Sequence, residues 1–301
     1  MRPARLIVNA DDFGMSRGVT DGIILAHRYG VVTSASLMAN MPAAEYALAR
    51  ADDLPRLGVG IHLNICQGRP ILSAREVRTL VDARGRFHPP AVLRQRLWTW
   101  RVAGREIEAE FRAQIRWMKE RGVVPTHADS HQHMHIYPPA VFPFRRALAA
   151  EGIHCARAPH MSVWPRRGPI AGAHAGDLVR RILAHAYRRT LQSVAFRRFD
   201  MPDSRIAFLA SERRAVETLG GCWKAAIAHL PGGAFELACH PGLFEPGFSE
   251  TDAIRVQREL ELQWLIDPEF RHVLDRSGVQ LISYRDLRRE PLAHAAAEVA
   301  A

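Results

Sequence analysis

The sequence of 301 residues has few cysteines and no long apolar segment. These two features argue against a disulfide-rich protein and against a membrane-spanning protein. Its four cysteines are widely scattered without a Cys-x-x-Cys pair, which excludes a dense disulfide framework and favours a reducing compartment. The first apolar run ends at Val8, too early for a signal peptide, and no segment approaches the roughly 18 apolar residues of a membrane span. We therefore expect a cytoplasmic protein whose membrane contact, if any, is peripheral at the inner face.

Charge is the unusual part of the composition. Charged residues make up 24% and hydrophobic residues 48% of the chain, as in ordinary globular proteins, but the net charge is +10. Between Arg157 and Arg214 there are twelve arginines, no lysine and four acidic residues, a local net charge of +8. Such a segment can meet nucleic acid, an anionic membrane or an acidic substrate, or it can be ordinary solvated surface.

Length and composition predict one large domain, although two smaller ones are an alternative. Barrels of α/β type commonly use about 250 residues. We place a single domain at residues 1–290, with the basic excursion around 157–214 inside it. Residues 291–301 form an Ala-rich tail that we expect to be frayed.

Apolar strands and amphipathic helices alternate along the first part of the chain. Short runs of β-branched and apolar residues predict strands, and apolar residues at helical spacing predict helices between them. This alternation is typical of a parallel α/β architecture. The predicted strands begin at Leu6 and lie at 31–40 and 59–65, with helices at 17–30 and 43–51. Residues 66–105 are basic and irregular, and we interpret them as an excursion that could wall a cleft.

Polar side chains follow four of the predicted strands. Asp11 and Asp12 follow the first strand, His62 lies near the end of the third, and His240 ends a later one. A fourth strand runs into the polar segment 127–135. The carboxyl ends of parallel strands meet on one face of an α/β barrel, so these side chains are expected to converge. Two imidazoles and a carboxylate would suit a divalent metal that activates water.

The segment 127–135 contains four histidines and one aspartate in strict alternation. Extended backbone would place His127, Asp129, His131, His133 and His135 on one face, with about 6.5 Å between successive members. One ion cannot bind all of them. We expect one histidine to be a ligand, while the others support it, line the cleft or lie in the core. His131 is the best placed, because it lies just past the expected strand end at Asp129-Ser130.

Four segments of this sequence resemble one family of enzymes, the YdjC/ChbG-like carbohydrate deacetylases. They are Asn9-Ala-Asp-Asp-Phe-Gly14, Gly60-Ile-His-Leu-Asn64, the segment from His127 to His135, and Cys239-His-Pro-Gly242. The segments occur in the family's order and span roughly residues 5 to 285, which is far more specific than one short motif. Within the family, the chain looks most like the hopanoid-biosynthesis-associated branch (HpnK).

The resemblance implies a TIM-like (β/α)7 barrel with its active site at the carboxyl ends of the strands. It also implies hydrolysis of the N-acetyl group of an N-acetylglucosamine unit with the help of one divalent metal ion. By motif, Asp12, His62 and His131 would be the metal ligands and Asp11 the general base. The hopanoid branch would act on an N-acetylglucosaminyl bacteriohopanetetrol, releasing acetate and leaving a free amine.

Amide hydrolysis also requires an acid that protonates the departing amine. We assign this role to His240, with His133 as the alternative, because the residues alone do not decide between them. Asn9, Asn64 and Asp129 are expected to orient the ligands or to line the substrate cleft. Zinc or magnesium is the expected ion, and manganese, iron and nickel also suit two imidazoles and one carboxylate.

Three functions compete at this stage. The first is the amino-sugar deacetylase, acting on a glycosylated hopanoid or on a chitooligosaccharide or other amino sugar. The second keeps the metal but cleaves another bond, as an amidohydrolase or a phosphoesterase would. The third is a basic nucleic-acid-binding protein, which the lack of interleaved aromatics and of a zinc-finger or helix-turn-helix pattern disfavours.

The basic segment has a further use if the substrate is a glycolipid. Arginines on helical faces between Leu178 and Arg198 could then dock the enzyme on an anionic membrane surface. The partners expected are therefore an amino-sugar glycolipid, an anionic membrane and no specific nucleic acid, with the oligomeric state left open.

Overall fold

The computed structural model describes residues 3–164, 175–208, 216–250 and 252–287. The strands are Ala4–Phe13 (β1), Ser34–Leu37 (β2), Gly58–Leu63 (β3), Ala128–Ser130 (β4), Met161–Trp164 (β5), Ser204–Phe208 (β6), Gly233–Cys239 (β7) and Gln280–Leu281 (β8). The helices are Arg17–Arg28 (α1), Ala44–Ala51 (α2), Pro90–Trp98 (α3), Gly104–Glu120 (α4), Pro138–Ala150 (α5), Ala175–Thr190 (α6), Val216–Ala228 (α7), Arg255–Ile266 (α8) and Pro268–Arg276 (α9). The predicted tail at 291–301 and the parts 165–174 and 209–215 of the basic segment lie outside the described residues.

The eight strands pair in parallel throughout. Their order is β4-β3-β2-β1-β7-β6-β5, and β8 pairs with β1 off this path. Isolated parallel bridges join Ala128 to Ala156 and Cys155 to Asp200, so backbone pairing continues beyond β4. The parallel α/β class predicted from the sequence is confirmed. The count of seven β/α units and the single domain at 1–290 remain predictions.

β1 is the central strand, because it pairs with β2 on one side and with β7 on the other. Leu6, Ile7 and Val8 are fully buried, as expected for a strand of a parallel sheet that is covered on both faces. Within the described ranges, no helix is long and apolar enough to cross a lipid bilayer.

The carboxyl end of β1 is irregular where the two acids lie. The register against β2 shifts between Ala10 and Phe13, and Asp12 has a φ of 68°, in the left-handed region. Residues other than glycine rarely adopt this conformation, although aspartate tolerates it better than most. The irregularity allows Asp11 and Asp12 to have different partners.

The segment 127–135 is not extended over its whole length. β4 ends at Ser130, and a 3₁₀ helix at His131–Ile136 follows, with Gln132 and His133 in the left-handed region. The Ser130 hydroxyl accepts the backbone N–H of His135 at 3.0 Å and lies 2.6 Å from Nδ1 of the same histidine. This local bonding turns the chain, so alternation along the sequence does not become one face of histidines.

The excursion at 66–105 contains more structure than the sequence suggested. Val81 and Phe87 form an antiparallel bridge, and α3 begins at Pro90, a favourable residue for the first turn of a helix. Leu93 and Leu97 of α3 are fully buried and attach the excursion to the core. Pro90 lines a cavity that it shares with Asp11, Asp12 and His62, in agreement with a wall of a cleft.

Helix α1 and the loop after β7 are in close backbone contact. A Cβ atom added to Gly22 would lie 2.5 Å from Cα of Gly242. The N–H of Leu243 donates to the Gly18 carbonyl at 2.9 Å, and the N–H of Gly242 donates to the Arg258 carbonyl at 3.2 Å. The absence of a side chain at Gly22 therefore allows this loop its position.

Replacing Gly22 with alanine is expected to destabilise the protein by about 1–3 kcal/mol, because the added methyl group forces the backbone of Gly242 to move. Gly221→Ala is the matched control: it also lies within a helix, and no heavy atom lies within 4 Å of its added Cβ. Its higher helix propensity should leave that variant as stable as the wild type or slightly more stable. Urea unfolding measures both variants, and equal stability of the two would contradict the packing argument.

Candidate metal centre and active site

Three predicted ligands converge at the carboxyl ends of β1, β3 and β4. Nε2 of His62 lies 3.6 Å and Nδ1 of His131 lies 3.0 Å from Oδ1 of Asp12. Their candidate ligand atoms all lie within 4.8 Å of one another. All three residues are buried. One carboxylate oxygen and two imidazole nitrogens therefore surround a common point.

The two oxygens of Asp12 have different surroundings. Oδ2 accepts a hydrogen bond from Nη2 of Arg258 at 2.8 Å. Oδ1 is buried and makes no hydrogen bond of good geometry among the described residues, although Nδ1 of His131 lies 3.0 Å away. Burial raises the pKa of Asp12, but the positive charge of Arg258 and the contact with His131 outweigh it and hold the pKa well below its ordinary value. An ionised oxygen of this kind beside two imidazoles fits a divalent cation.

His62 is oriented by Asp129. Its Nδ1 donates to Oδ1 of Asp129 at 2.7 Å, which leaves Nε2 directed toward Asp12. A carboxylate behind the imidazole is the arrangement that fixes tautomer and ring orientation in many metal sites. Burial lowers the pKa of His62, but the charges of Asp129 and Asp11 raise it to about 9 in the absence of a bound cation.

Asp11 faces a different set of partners from Asp12. Its oxygens accept hydrogen bonds from both terminal nitrogens of Arg157, at 2.5 and 2.8 Å, and Oδ1 also accepts one from Nδ2 of Asn9 at 2.9 Å. Burial raises the pKa of Asp11, but the guanidinium of Arg157 outweighs it, so the pKa is lowered and the carboxylate is ionised. Oδ2 lies 3.9 Å from Nε2 of His240, too far for a hydrogen bond.

Arg157 is a functional residue that the sequence interpretation did not identify. Only 1% of it is exposed, and its guanidinium contacts Asp11, Asp129 and Glu236 at 2.5 to 2.8 Å. Asp11, His62 and Asp129 form a second group with spacing suitable for a cation. The guanidinium already supplies the positive charge beside both carboxylates of that group.

His240 is the most exposed of the predicted catalytic and ligand residues, at 30% of its side chain. Its backbone N–H donates to Oε2 of Glu261 at 2.5 Å, and its Nδ1 lies 3.9 Å from the same oxygen. Glu261, on α8, is 1% exposed. The two carboxylates therefore face the two ring nitrogens of His240.

The remaining histidines of the segment 127–135 have separate environments. His127 is fully buried, stacks on Tyr284 and lies 3.0 Å from the Ser36 hydroxyl, and burial lowers its pKa to about 3. His135 is buried, and burial lowers its pKa to about 3 as well. His133 lines the pocket, with Nε2 3.0 Å from a terminal nitrogen of Arg205.

The two predicted asparagines have different positions. Asn9 donates from Nδ2 to Asp11 and to the Ser36 hydroxyl, both at 2.9 Å, so it supports the acid pair directly. The side chain of Asn64 instead bonds to Asn40 and to the backbone of Cys66 and Gln67. Asn64 thus holds the turn after β3, and Gln67 of that turn lines the pocket.

A cavity of about 510 Å³ opens over these groups. This volume lies within the range of small-molecule sites. Its lining includes both acids of β1 and four of the histidines and basic residues described above, namely Asp11, Asp12, His62, His131, His240 and Arg258.

The sequence interpretation also did not identify three further charged residues near the site, Glu236, Arg258 and Glu261. Glu236 is an acid between Phe235 and Leu237 in an apolar strand, and this pattern could have indicated a buried charge with a partner. Arg258 and Glu261 carry no comparable signal, because charged residues are common on amphipathic helices.

Comparison with known proteins identifies the family to which the chain belongs. The model of the family described as YdjC-like protein matches residues 5–276. The chain belongs to the YdjC-like family. A carbohydrate deacetylase of Geobacillus stearothermophilus is 35% identical over 288 residues, covering 94% of this chain and 98% of the relative. A carbohydrate deacetylase of Clostridium beijerinckii is 29% identical, covering 94% and 100%.

The fold of this YdjC-like protein also has a counterpart among solved structures. A crystal structure from Enterococcus faecalis V583 superposes with a TM-score of 0.76, at 24% sequence identity, and covers 95% of this chain and 100% of that chain. The similarity supports the α/β fold with its parallel strands. The resemblance inferred from four short segments is thus confirmed for the family, while the hopanoid branch remains a prediction.

Proposed function

We propose that this YdjC-like protein is a hydrolytic carbohydrate deacetylase that removes the N-acetyl group from an N-acetylglucosamine unit. Membership in a family whose curated relatives are carbohydrate deacetylases supports the reaction class. The observation that carries the proposal is that the two neighbouring acids at the end of β1 have different partners but line the same cavity. Asp12 lies with His62 and His131 around one point, while Asp11 lies beside it in the same cavity.

Asp12, His62 and His131 would hold the divalent ion, through Oδ1, Nε2 and Nδ1 respectively. A bound ion would acidify a coordinated water and polarise the acetyl oxygen. Arg258 keeps Oδ2 of Asp12 occupied, which favours the binding of a cation by a single oxygen. Zinc or magnesium remains the expected ion, with manganese, iron and nickel as alternatives.

Asp11 is the proposed general base, which accepts a proton from the attacking water. Both of its oxygens are fixed by Arg157, so the carboxylate stays ionised and cannot rotate freely. His240 is the proposed general acid, because it lines the cavity, its Nε2 lies 3.9 Å from Asp11 and its side chain is partly exposed to an incoming substrate. His133 remains the alternative acid, but burial and the nearby charge of Arg205 lower its pKa well below the ordinary value, which disfavours the protonated form that an acid requires.

The proposed substrate is a glycosylated hopanoid, N-acetylglucosaminyl bacteriohopanetetrol, which would become the glucosaminyl product. This choice depends on the resemblance of the chain to the hopanoid-biosynthesis-associated branch of the family and on its basic charge, which suits an enzyme acting in the cytoplasm at an anionic membrane. A chitooligosaccharide or another soluble amino sugar is the alternative. The arginines between Leu178 and Arg198 belong to α6 and the segment after it, and their docking role remains a proposal.

Acetate release tests the proposal. Purified protein with its metal content determined is incubated with N-acetylglucosaminyl bacteriohopanetetrol, with chitooligosaccharides, and with a phosphate ester. Acetate from the first substrate at the highest kcat/KM supports the full proposal, and acetate from the second alone supports a soluble-sugar deacetylase. Phosphate release without acetate would refute the deacetylase.

Asp12→Asn should lower metal affinity by at least about 100-fold. This exceeds the effect usually seen when a residue that only hydrogen-bonds to a metal ligand is replaced. The amide has no negative charge to offer the cation, and Arg258 would then lie beside an uncharged group. Metal analysis after dialysis measures the loss, with Asp267→Asn as control, since that acid pairs with Lys224 away from the site. Full metal retention by Asp12→Asn would remove Asp12 from the ligand set.

A further inference from the structure

One compact turn at the end of α3 exposes two tryptophans. Trp98 is 62% exposed and Trp100 is 73% exposed. These are large fractions for tryptophan, whose side chain is mostly apolar. Nη2 of Arg96 donates to the Arg101 carbonyl at 3.3 Å, and the N–H of Arg101 donates to the Arg96 carbonyl at 2.8 Å. We call residues 96–101 the Trp–Arg turn, because these contacts gather two indoles and two arginines into one projection.

The surrounding sequence is strongly cationic. Residues 83–105 contain six arginines and no aspartate or glutamate. Arg101 is exposed and Arg96 is partly exposed, and neither forms an ion pair with a carboxylate among the described residues. Contact with water does not stabilise an exposed indole. Indoles beside arginines without an ion-pair partner suit a membrane surface, which offers both apolar volume and negative charge.

The Trp–Arg turn is attached rigidly to the active site. Leu93 and Leu97 fix α3 in the core, and Pro90 at the other end of this nine-residue helix lines the catalytic cavity. Nine helical residues span only about 13 Å. Trp98 also packs edge to face on Tyr137, the residue directly after the 3₁₀ helix that begins with His131.

We propose that the Trp–Arg turn docks the protein on an anionic lipid bilayer and holds the catalytic cavity near the headgroups. This inference rests on the proposed function in taking the substrate to be an amino-sugar glycolipid. Exposed indoles could instead stack on a soluble oligosaccharide. Charge favours the bilayer, because deacetylation leaves a cationic amine that an acid-free arginine surface would repel. This docking contact at residues 96–101 is separate from the one proposed for the arginines of α6 and the segment after it.

Vesicle co-sedimentation of the full chain tests the proposal. We expect binding to vesicles of phosphatidylcholine with one-third phosphatidylglycerol, weak binding to pure phosphatidylcholine, and release at high salt, since exposed charges are screened. The double variant Trp98→Ala/Trp100→Ala should bind the anionic vesicles about tenfold more weakly, since indole insertion supplements the charge attraction. Tyr29→Ala is the matched control, because Tyr29 is also 73% exposed but lies at the end of α1.

Three results would overturn the proposal. The first is equal binding of the wild type and the double variant to anionic vesicles, and the second is equal binding of the wild type to neutral and anionic vesicles. The third is a double variant whose KM for chitooligosaccharides is raised while its vesicle binding is unchanged. The last result would assign the indoles to sugar stacking. Arg101→Glu provides a second variant with the same expected loss if the double variant misfolds. Because the vesicles contain no amino sugar, failure of the deacetylase assay would leave the docking result intact, and the reverse also holds.

Discussion

Arg157→Met is expected to reduce the free energy of unfolding by about 3–5 kcal/mol, the largest effect on stability of any single change considered for this protein. The methionine fills a similar volume, but it leaves the carboxylates of Asp11, Asp129 and Glu236 buried without their shared cation. Burial already raises the pKa of Glu236 even with Arg157 in place. Urea unfolding at neutral pH measures the loss.

Arg276→Met is the matched control for this prediction. Arg276 also pairs with a carboxylate, Glu269 at 2.9 Å, but the arginine side chain is 61% exposed. Exposed ion pairs contribute about 0–1 kcal/mol, so this variant should unfold close to the wild type. If the two variants lost the same stability, the buried guanidinium would not be the charge that stabilises the buried carboxylates of Asp11, Asp129 and Glu236.

The location of the site could be predicted from the sequence because strand direction alone brings the strand ends together. Asp12, His62 and His131 each follow a short apolar run, and parallel pairing in the order β4-β3-β2-β1 places those runs side by side. No detail of packing is needed for that inference. Their roles in binding a metal remain predictions that the Asp12→Asn variant tests.

The partners of these residues could not be predicted in the same way. Arg157 was counted within a basic segment of surface charge, yet it is 1% exposed, and Arg205 of the same segment is 5% exposed. A count of charges along the sequence cannot show that Arg157 pairs with Asp11, 146 residues earlier. Arg258 meets Asp12 across 246 residues, from a helix whose charges resemble those of any exposed helix.

Local geometry was the other part that the sequence did not show. The sequence predicts a strand end at Asp129-Ser130, and β4 does end at Ser130. Alternation of histidines beyond that point did not show that the hydroxyl of Ser130 and the left-handed Gln132 and His133 turn the chain. Alternation specifies a face only where a neighbouring strand continues the ladder. β4 has its register with β3 at Ala128, Asp129 and Ser130.

Asp11→Asn is expected to lower kcat by about 10²–10⁴-fold, the contribution typical of a general base, while one divalent ion per chain is retained. The three proposed ligands are unchanged in this variant, and Asn9 and Arg157 remain next to residue 11. Metal analysis combined with acetate release separates it from Asp12→Asn, which should lose the ion as well as the activity. The pair therefore distinguishes two neighbouring acids that alternate along one strand.

Exchange of the two roles is the alternative that this pair of variants must exclude. If Asp11 were the ligand, Asp11→Asn would lose the ion and Asp12→Asn would retain it. The contacts oppose this, because both oxygens of Asp11 accept hydrogen bonds from Arg157, and a cation there would lie against a guanidinium. Asp12 instead offers an oxygen that makes no hydrogen bond of good geometry among the described residues, between two imidazoles. Unaltered turnover of Asp11→Asn would refute its role as the base and move the search to His133 and His240.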